Sequence, residues 1–275
     1  MGYEIIEQLG DSLVKLRERR GIVHNITNYV TVHDCANVIL AIGASPIMAT
    51  HPKEMKEISA LSQALVLNIG TIQEDTEKSM ILAGTTANEH NVPIVFDPVG
   101  AGATALRRHI STQLPTDLNI AVIRCNRSEI MAIYNTSFIA AGVDAVHTED
   151  LPVTEAAIAV AKRYNTVVAV TGAVDIVTDG IRTVTLHNGV DILPMLTGTG
   201  CMTTALVGAY CTVNDPFISA VAGITTMSIV GEIAASRLTG QDGLGTFAMY
   251  LHDGISNMTA QILREKGKIE TVLEF

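Results

Sequence analysis

The segment Leu196-Thr197-Gly198-Thr199-Gly200-Cys201 runs straight into the apolar helical pattern Met202 to Tyr210. Glycines let a backbone turn its amides inward, and a helix N-terminus adds positive partial charge. Such a junction can hold a developing phosphoryl oxyanion, with Gly198 and Gly200 as the candidate backbone positions. Cys201 falls in the first helical turn, where the dipole lowers a thiol pKa and makes the side chain a candidate proton acceptor. Phosphorylating an alcohol needs those two elements: a group near the hydroxyl proton and a clamp for the transferred charge. A tight turn leading to a buried small thiol would use the same residues, so the segment needs support from the rest of the chain.

That support comes from polar residues at the ends of apolar runs. Asn25 follows Ile22-Val23-His24, Asn68 interrupts Val66-Leu67, and Asp97 ends Ile94-Val95-Phe96. Asn126 follows Ile123-Arg124-Cys125, and Thr171 ends Val168-Ala169-Val170. Taken singly, a strand-end Asn or Asp usually satisfies a turn backbone. Five of them arriving at one edge of a sheet read as a site, because open parallel sheets bind ligands beyond the carboxyl ends of their strands.

If Mg²⁺ bridges nucleotide phosphates, its protein ligands must be hard oxygens, typically one or two carboxylates with water completing the shell. Asp97 and Glu129, the latter just beyond Asn126, are the candidates. Arg124 can pair with a nucleotide phosphate, or equally form a structural ion pair. Other chemistries fit poorly. Asp97-Pro98-Val99-Gly100-Ala101-Gly102-Ala103-Thr104-Ala105 lacks the third glycine of a dinucleotide fingerprint, and no GxxxxGK[ST] motif occurs. The eight histidines show no HxxxH or HxH pairing, which argues against zinc; His24, beside Asn25, is the one to watch.

The elements that must position these groups are legible as short β-branched runs alternating with helical patterns. Ile22 to His24, Ser45 to Ala49, Ala64 to Gly70, Val92 to Pro98, Asn119 to Cys125 and Thr166 to Gly172 read as strands, nearly all apolar on both faces. Such strands are expected where right-handed crossovers cover both sides of a parallel sheet, so the fold class is a layered α/β sandwich. Thr31 can cap a helix to Ile42 with Gly43 just past it, and Glu74 to His90 reads as another. Asp175 to Asp179 and Arg182 to Leu186 read as an antiparallel pair turned by Asp179-Gly180, after which the pattern becomes all helix. Gly208, Gly223 and Gly231 lie inside apolar helices and predict close helix packing. With no linker or repeat, residues 1–275 are expected to form a single domain.

At 275 residues and 48% hydrophobic, the chain can bury a sizeable core. Its formal net charge of −10 offers no field for a nucleic-acid backbone. The acidic start, Gly2 to Glu7, is unlike a secretory signal, and the apolar stretch Phe217 to Gly231 falls short of the ~20 residues needed to span a bilayer. A cytoplasmic protein without a membrane or nucleic-acid partner is expected. Cys35, Cys125, Cys201 and Cys211 show no CxxC spacing and read mostly as core thiols.

Five blocks together closely resemble the hydroxyethylthiazole kinase family of the ribokinase-like superfamily. They are Val23 to Asn28, Gly43 to Met48, Leu67 to Thr71, Asp97 to Thr104 and Thr197 to Cys201, in the family's order and spacing over nearly the whole chain. The resemblance implies a ribokinase-like three-layer α/β/α sandwich with a mostly parallel sheet. It implies phosphorylation of 4-methyl-5-(2-hydroxyethyl)thiazole by ATP with Mg²⁺, a thiamine salvage step, in a homotrimer whose thiazole pockets lie at subunit contacts. By position, Met48 resembles the family's thiazole contact, Gly198 a substrate-site backbone group, and Arg124 and Thr171 the nucleotide contacts. Asp97 and Glu129 match the acidic residues near metal and phosphates. Asn25 is expected on the substrate side and Asn126 on the ATP side. Thr199 and Cys125 depart from the family's usual small residues, and the chain after Gly240 matches weakly. Cys201 stands where the wider superfamily usually carries Asp. A kinase for another small alcohol, such as a hydroxymethylpyrimidine, and a non-catalytic binder of thiazole or nucleotide are the alternatives.

Overall fold

The computed structural model describes residues 2–139 and 152–274. Among the described residues nine strands form one sheet: β1 (Ile22–Ile26), β2 (Ser45–Ile47), β3 (Ala64–Asn68), β4 (Ile94–Asp97), β5 (Val122–Asn126), β6 (Val167–Thr171), β7 (Asp175–Thr178), β8 (Arg182–Leu186) and β9 (Ile269–Glu274). Their order is β2-β1-β3-β4-β5-β6-β7-β8-β9. The first six in that order pair in parallel, and β6 through β9 pair antiparallel. β9 corrects the expectation of an all-helical C-terminal stretch. It adds to the open edge of β8 and covers backbone groups that would otherwise face solvent.

Two hydrophobic layers sandwich the sheet, as continuous apolar strands require. On one face Val23, Val66, Val95, Val122 and Ala169 pack with α1 (Gly2–Arg19), α2 (Val32–Ile42), α8 (Thr199–Cys211) and α9 (Pro216–Ser236). On the other, Leu65, Leu67, Phe96, Ile123 and Val168 pack with α4 (Glu74–Glu89), α5 (Ala105–Asp117), α6 (Arg127–Ile139) and α7 (Val153–Tyr164). Shorter α3 (Met55–Leu61), α10 (Leu244–Ser256) and α11 (Ala260–Lys266) complete the helices. The expected three-layer α/β/α sandwich with a mostly parallel sheet is therefore present.

Helix α9 is apolar and long enough to cross a membrane, yet 89% of its most apolar window is buried within the fold. It is the spine of one layer. A Cβ at Gly223 would lie 2.7 Å from the backbone nitrogen of Val207, so α8 and α9 meet backbone against backbone there. An alanine at that position would cost about 1–3 kcal/mol through overpacking. Tight packing of α8 matters for function, because its N-terminus stands over the strand ends.

Candidate active site

The polar strand-end residues share a face for a simple reason. Side chains alternate along a strand, so Asn68 points where Val66 does, Asp97 where Val95 does, and Arg124 where Val122 does. Those valines belong to the layer that contains α8. Asn68 also stands directly beside Asp97 in the β3–β4 register, and Asn126 beside Thr171 in β5–β6. One edge of the sheet thus delivers its polar groups beneath one helix N-terminus.

Asp97 is fully buried. Its Oδ2 accepts from Thr204 Oγ1 at 2.6 Å and from Asn68 Nδ2 at 3.1 Å, and lies 3.6 Å from Arg124 Nη1. Its Oδ1 has no hydrogen-bond partner among the described residues. Burial pushes the carboxyl up to about 6, and the neighbouring Glu129 adds to this, while Arg124, Thr204 and Asn68 pull the other way. An orphaned carboxylate oxygen held in place by its twin is poised to receive a cation or a proton.

Asn68 is the hub beside it. Its Oδ1 accepts from Asn28 Nδ2 at 3.0 Å and from the Gly70 amide at 2.9 Å. Its Nδ2 donates to Asp97 and, at 3.3 Å, to Cys201 Sγ. Asn28 Nδ2 donates to the same sulfur at 3.3 Å, while Asn28 Oδ1 accepts from both the amide and the hydroxyl of Thr31 at 3.1 Å. Thr31 therefore makes no side-chain cap for α2, although Gly43 ends that helix with φ of 110° as expected.

Cys201 behaves differently from the expectation raised by its place in a first helical turn. Burial, followed by the charge of Asp97, pushes its thiol up, and the hydrogen bonds from Thr31, Asn28 and Asn68 do not offset this. At neutral pH the thiol keeps its proton. The local dipole could be read from sequence; the buried carboxylate facing the sulfur could not.

The N-terminus of α8 is built as the glycine pattern suggests. Gly198 is the N-cap with φ of 95°, a left-handed conformation that glycine adopts without strain. The amides of Thr199, Gly200 and Cys201 have no intrahelical acceptor and are free for an anion. A Cβ at Gly200 would lie 2.8 Å from Arg124 Nη1, so the glycine lets the guanidinium lie against the first turn.

Arg124 Nη2 donates to Thr171 Oγ1 at 2.5 Å. Arg124, Thr171, Asn126, Gly200 and Thr203 line a cavity of about 590 Å³, large enough for a nucleotide. Asp175 lines it too, and burial pushes its carboxyl up to about 6. Glu129 Oε2 accepts from the Asn126 amide and Oε1 from the Gly100 amide, each at 2.8 Å. Asn126 Oδ1 accepts from the Glu129 amide in return, at 3.0 Å. This reciprocal pair starts α6 and ties the β4–α5 loop to it.

Among the described residues no group of three or more His, Cys, Asp or Glu is placed to hold a metal ion. A transition-metal cage is absent there. The donor set of Asp97 and Glu129 fits Mg²⁺ instead, which needs only one or two carboxylates, and Asp97 Oδ1 is free for it.

The substrate-side residues are less closely gathered. Met48, just past β2, is half-buried against the α8 layer, as is Cys201. Asn25 lies inside β1 opposite Val66, 1% exposed, and both polar atoms of its amide lack partners among the described residues. It does not line the cavity. His24 is a core residue: burial lowers its pKa, Nε2 donates to the Ala49 carbonyl at 3.0 Å, and Nδ1 accepts from Ser59 Oγ at 3.2 Å. It anchors the segment that carries Met48. Three residues were given no role in the sequence reading: Asn28, present there only as the end of a resemblance block, Thr204 and Arg107. Arg107 donates to the carbonyls of Ile69, Gly70 and Val99, at 2.8, 2.7 and 2.5 Å, and so ties the loops after β3 and β4 together.

The chain is similar to known proteins over nearly its whole length. The hydroxyethylthiazole kinase family profile matches residues 13–261. The hydroxyethylthiazole kinase of Clostridium beijerinckii is 48% identical over 277 positions, covering 99% of this chain and 100% of that protein. The enzyme of that name from Ruminiclostridium cellulolyticum is 47% identical, covering 98% and 99%. The solved structure of the hydroxyethylthiazole kinase protein from Pyrococcus horikoshii OT3 superposes with a TM-score of 0.88 at 36% identity, over 97% and 99% of the two chains. The pyridoxal kinase from Staphylococcus aureus, at a TM-score of 0.61 and 12% identity, shares the fold. With its family profile, near-full-length relatives and fold all in agreement, this chain belongs to the hydroxyethylthiazole kinase family.

Proposed function

We propose that the chain transfers the γ-phosphoryl group of ATP to the primary hydroxyl of 4-methyl-5-(2-hydroxyethyl)thiazole, a salvage step toward thiamine. The observation that carries the phosphoryl chemistry is the meeting of Asp97, with its free Oδ1, Arg124 and the first turn of α8 beside one large cavity. Family membership supplies the acceptor. In the reaction the alcohol oxygen bonds to the γ-phosphorus, the bond to ADP breaks, and the hydroxyl proton is released.

Arg124, Thr171 and Asn126 bind the nucleotide from the cavity wall. The amides of the Gly198–Gly200 turn receive the equatorial oxygens of the phosphoryl group in flight. Asp97 and Glu129 would hold Mg²⁺, which would supply positive charge against the phosphates. Met48 packs on the thiazole. Phosphoryl transfer through a loose transition state depends chiefly on positioning and charge stabilisation. A Cys201 that keeps its proton is therefore compatible with this reaction; the thiol fills space beside the acceptor hydroxyl and takes no proton from it.

The exposed Tyr29 and Val30 follow Asn28, and the exposed Met195 precedes the glycine turn. These apolar side chains beside the site support a homotrimer with thiazole pockets at subunit contacts. The activity is tested by incubating purified protein with Mg²⁺-ATP and a panel of alcohols: the thiazole, a hydroxymethylpyrimidine and a sugar. The thiazole alcohol should be converted to its phosphate with the highest kcat/KM. No turnover above a heat-treated control would overturn the assignment, and preference for another alcohol would move it to that substrate.

A further inference from the structure

Asp175 takes no part in the chemistry described so far, yet it is 5% exposed and lines the nucleotide cavity. It is the first residue of β7, and a three-residue turn, Gly172-Ala173-Val174, joins it to Thr171 at the end of β6. All three turn residues are exposed. Asp175 Oδ1 accepts from the Gly172 amide at 2.9 Å, and Ser228 Oγ on α9 donates to Oδ2 at 3.5 Å. A glycine-led turn at the edge of a cavity has many conformations open to it, and this carboxylate selects one.

The consequence passes along a chain of contacts. The turn fixes Thr171, and Thr171 Oγ1 takes Arg124 Nη2 at 2.5 Å. Among the described residues Arg124 Nε has no partner, and the guanidinium is aimed through its two Nη groups, one toward Thr171 and one toward Asp97. Release of the turn would free one of the two points that aim it.

We propose that Asp175 is a positioning residue for the nucleotide: its carboxylate clamps the Gly172 turn, and through Thr171 it sets the guanidinium of Arg124 for phosphate. The proposal rests on the kinase reading, because it assumes that the 590 Å³ cavity takes the nucleotide. The clamp works as a hydrogen-bond acceptor. Asparagine, which keeps an acceptor oxygen in the same place, should therefore substitute for Asp175, whereas alanine should not.

Calorimetry with the purified full-length chain tests this, with Mg²⁺-ADP and the thiazole alcohol as separate probes. Asp175→Ala should weaken Mg²⁺-ADP by about tenfold to a hundredfold, the loss expected when a buried acceptor is removed and the turn amide is left unpaired. Its affinity for the thiazole alcohol should stay within about threefold, and Asp175→Asn should hold both ligands within about threefold of wild type. Thr171→Val should cost less nucleotide affinity in the Asp175→Ala background than in wild type, because the two act in series. Unchanged Mg²⁺-ADP affinity in Asp175→Ala would overturn the proposal. So would an Asp175→Asn variant as weak as Asp175→Ala, an equal loss of both ligands, or strict additivity with Thr171→Val. A wild-type protein that binds no Mg²⁺-ADP would instead overturn the nucleotide reading of the cavity.

Discussion

The phosphoryl end and the nucleotide end of this site each hold a buried carboxylate near Arg124, and burial pushes both up to about 6. They are built differently. Asp97 ends an interior parallel strand beneath α8; Thr204 and Asn68 hold Oδ2, and Oδ1 has no partner. Asp175 opens an antiparallel hairpin, and a backbone amide occupies its Oδ1. In the roles proposed for them, the same chemical group in the same kind of environment serves two purposes, and what separates them is the free oxygen. An unpaired oxygen held still can act on a ligand, whereas a paired one shapes the wall.

Substitutions at the phosphoryl end should produce the larger effects. Asp97→Asn is expected to lower kcat by about 10²–10³-fold, the scale of losing one pre-set electrostatic group. The same change should raise stability at alkaline pH. The folded-state pKa of about 6 lies above the ordinary 3.8, so the folded protein binds more protons between those values. The contribution of the group to stability is fully present below 3.8 and is lost as pH rises through about 6. Thermal melts should therefore place Asp97→Asn above wild type at pH 8 and level with it near pH 4. Wild-type activity should rise with pH through about 6 as Asp97 ionises.

At the boundary between the two ends, Gly200→Ala should displace Arg124, whose Nη1 would lie 2.8 Å from the new Cβ. Steady-state kinetics should give a loss in kcat/KM for ATP on the order of tenfold to a hundredfold. A change below about threefold would mean that Arg124 is not held against α8 during turnover. The smallest effect belongs to Cys201→Ala. With the thiol pushed up and protonated, kcat should fall by less than about tenfold, against the 10²–10⁴-fold expected of a general base.

The two ends also differed in how far they could be read from the amino-acid sequence. The parallel half was legible, because each strand is an apolar run with a polar residue at its end, and period-2 alternation places those residues on one face. Asp97, Arg124, Thr171 and the glycine turn follow from that pattern. Asn28 did not, because it lies in a loop and its partners, Asn68 and Cys201, are 40 and 173 residues away. Thr204 stands next to Thr203 with no sequence sign of which hydroxyl reaches Asp97. The thiol of Cys201 went the opposite way from its helical position, because burial and a carboxylate brought in by folding outweigh the dipole. On the nucleotide side, Asp175 read only as the start of a strand, and β9 was lost in a short charged tail whose alternation of Ile269, Thr271 and Leu273 gains meaning only against β8.

The most direct test of the central claim is kcat for Asp97→Asn at saturating Mg²⁺-ATP and thiazole alcohol, measured beside its affinity for Mg²⁺-ADP. A phosphoryl end that acts through the free oxygen of Asp97 predicts a kcat lower by about 10²-fold or more; because Asp97 also faces Arg124, affinity for Mg²⁺-ADP should fall with it, and by less than kcat. A kcat within about threefold of wild type would contradict the account.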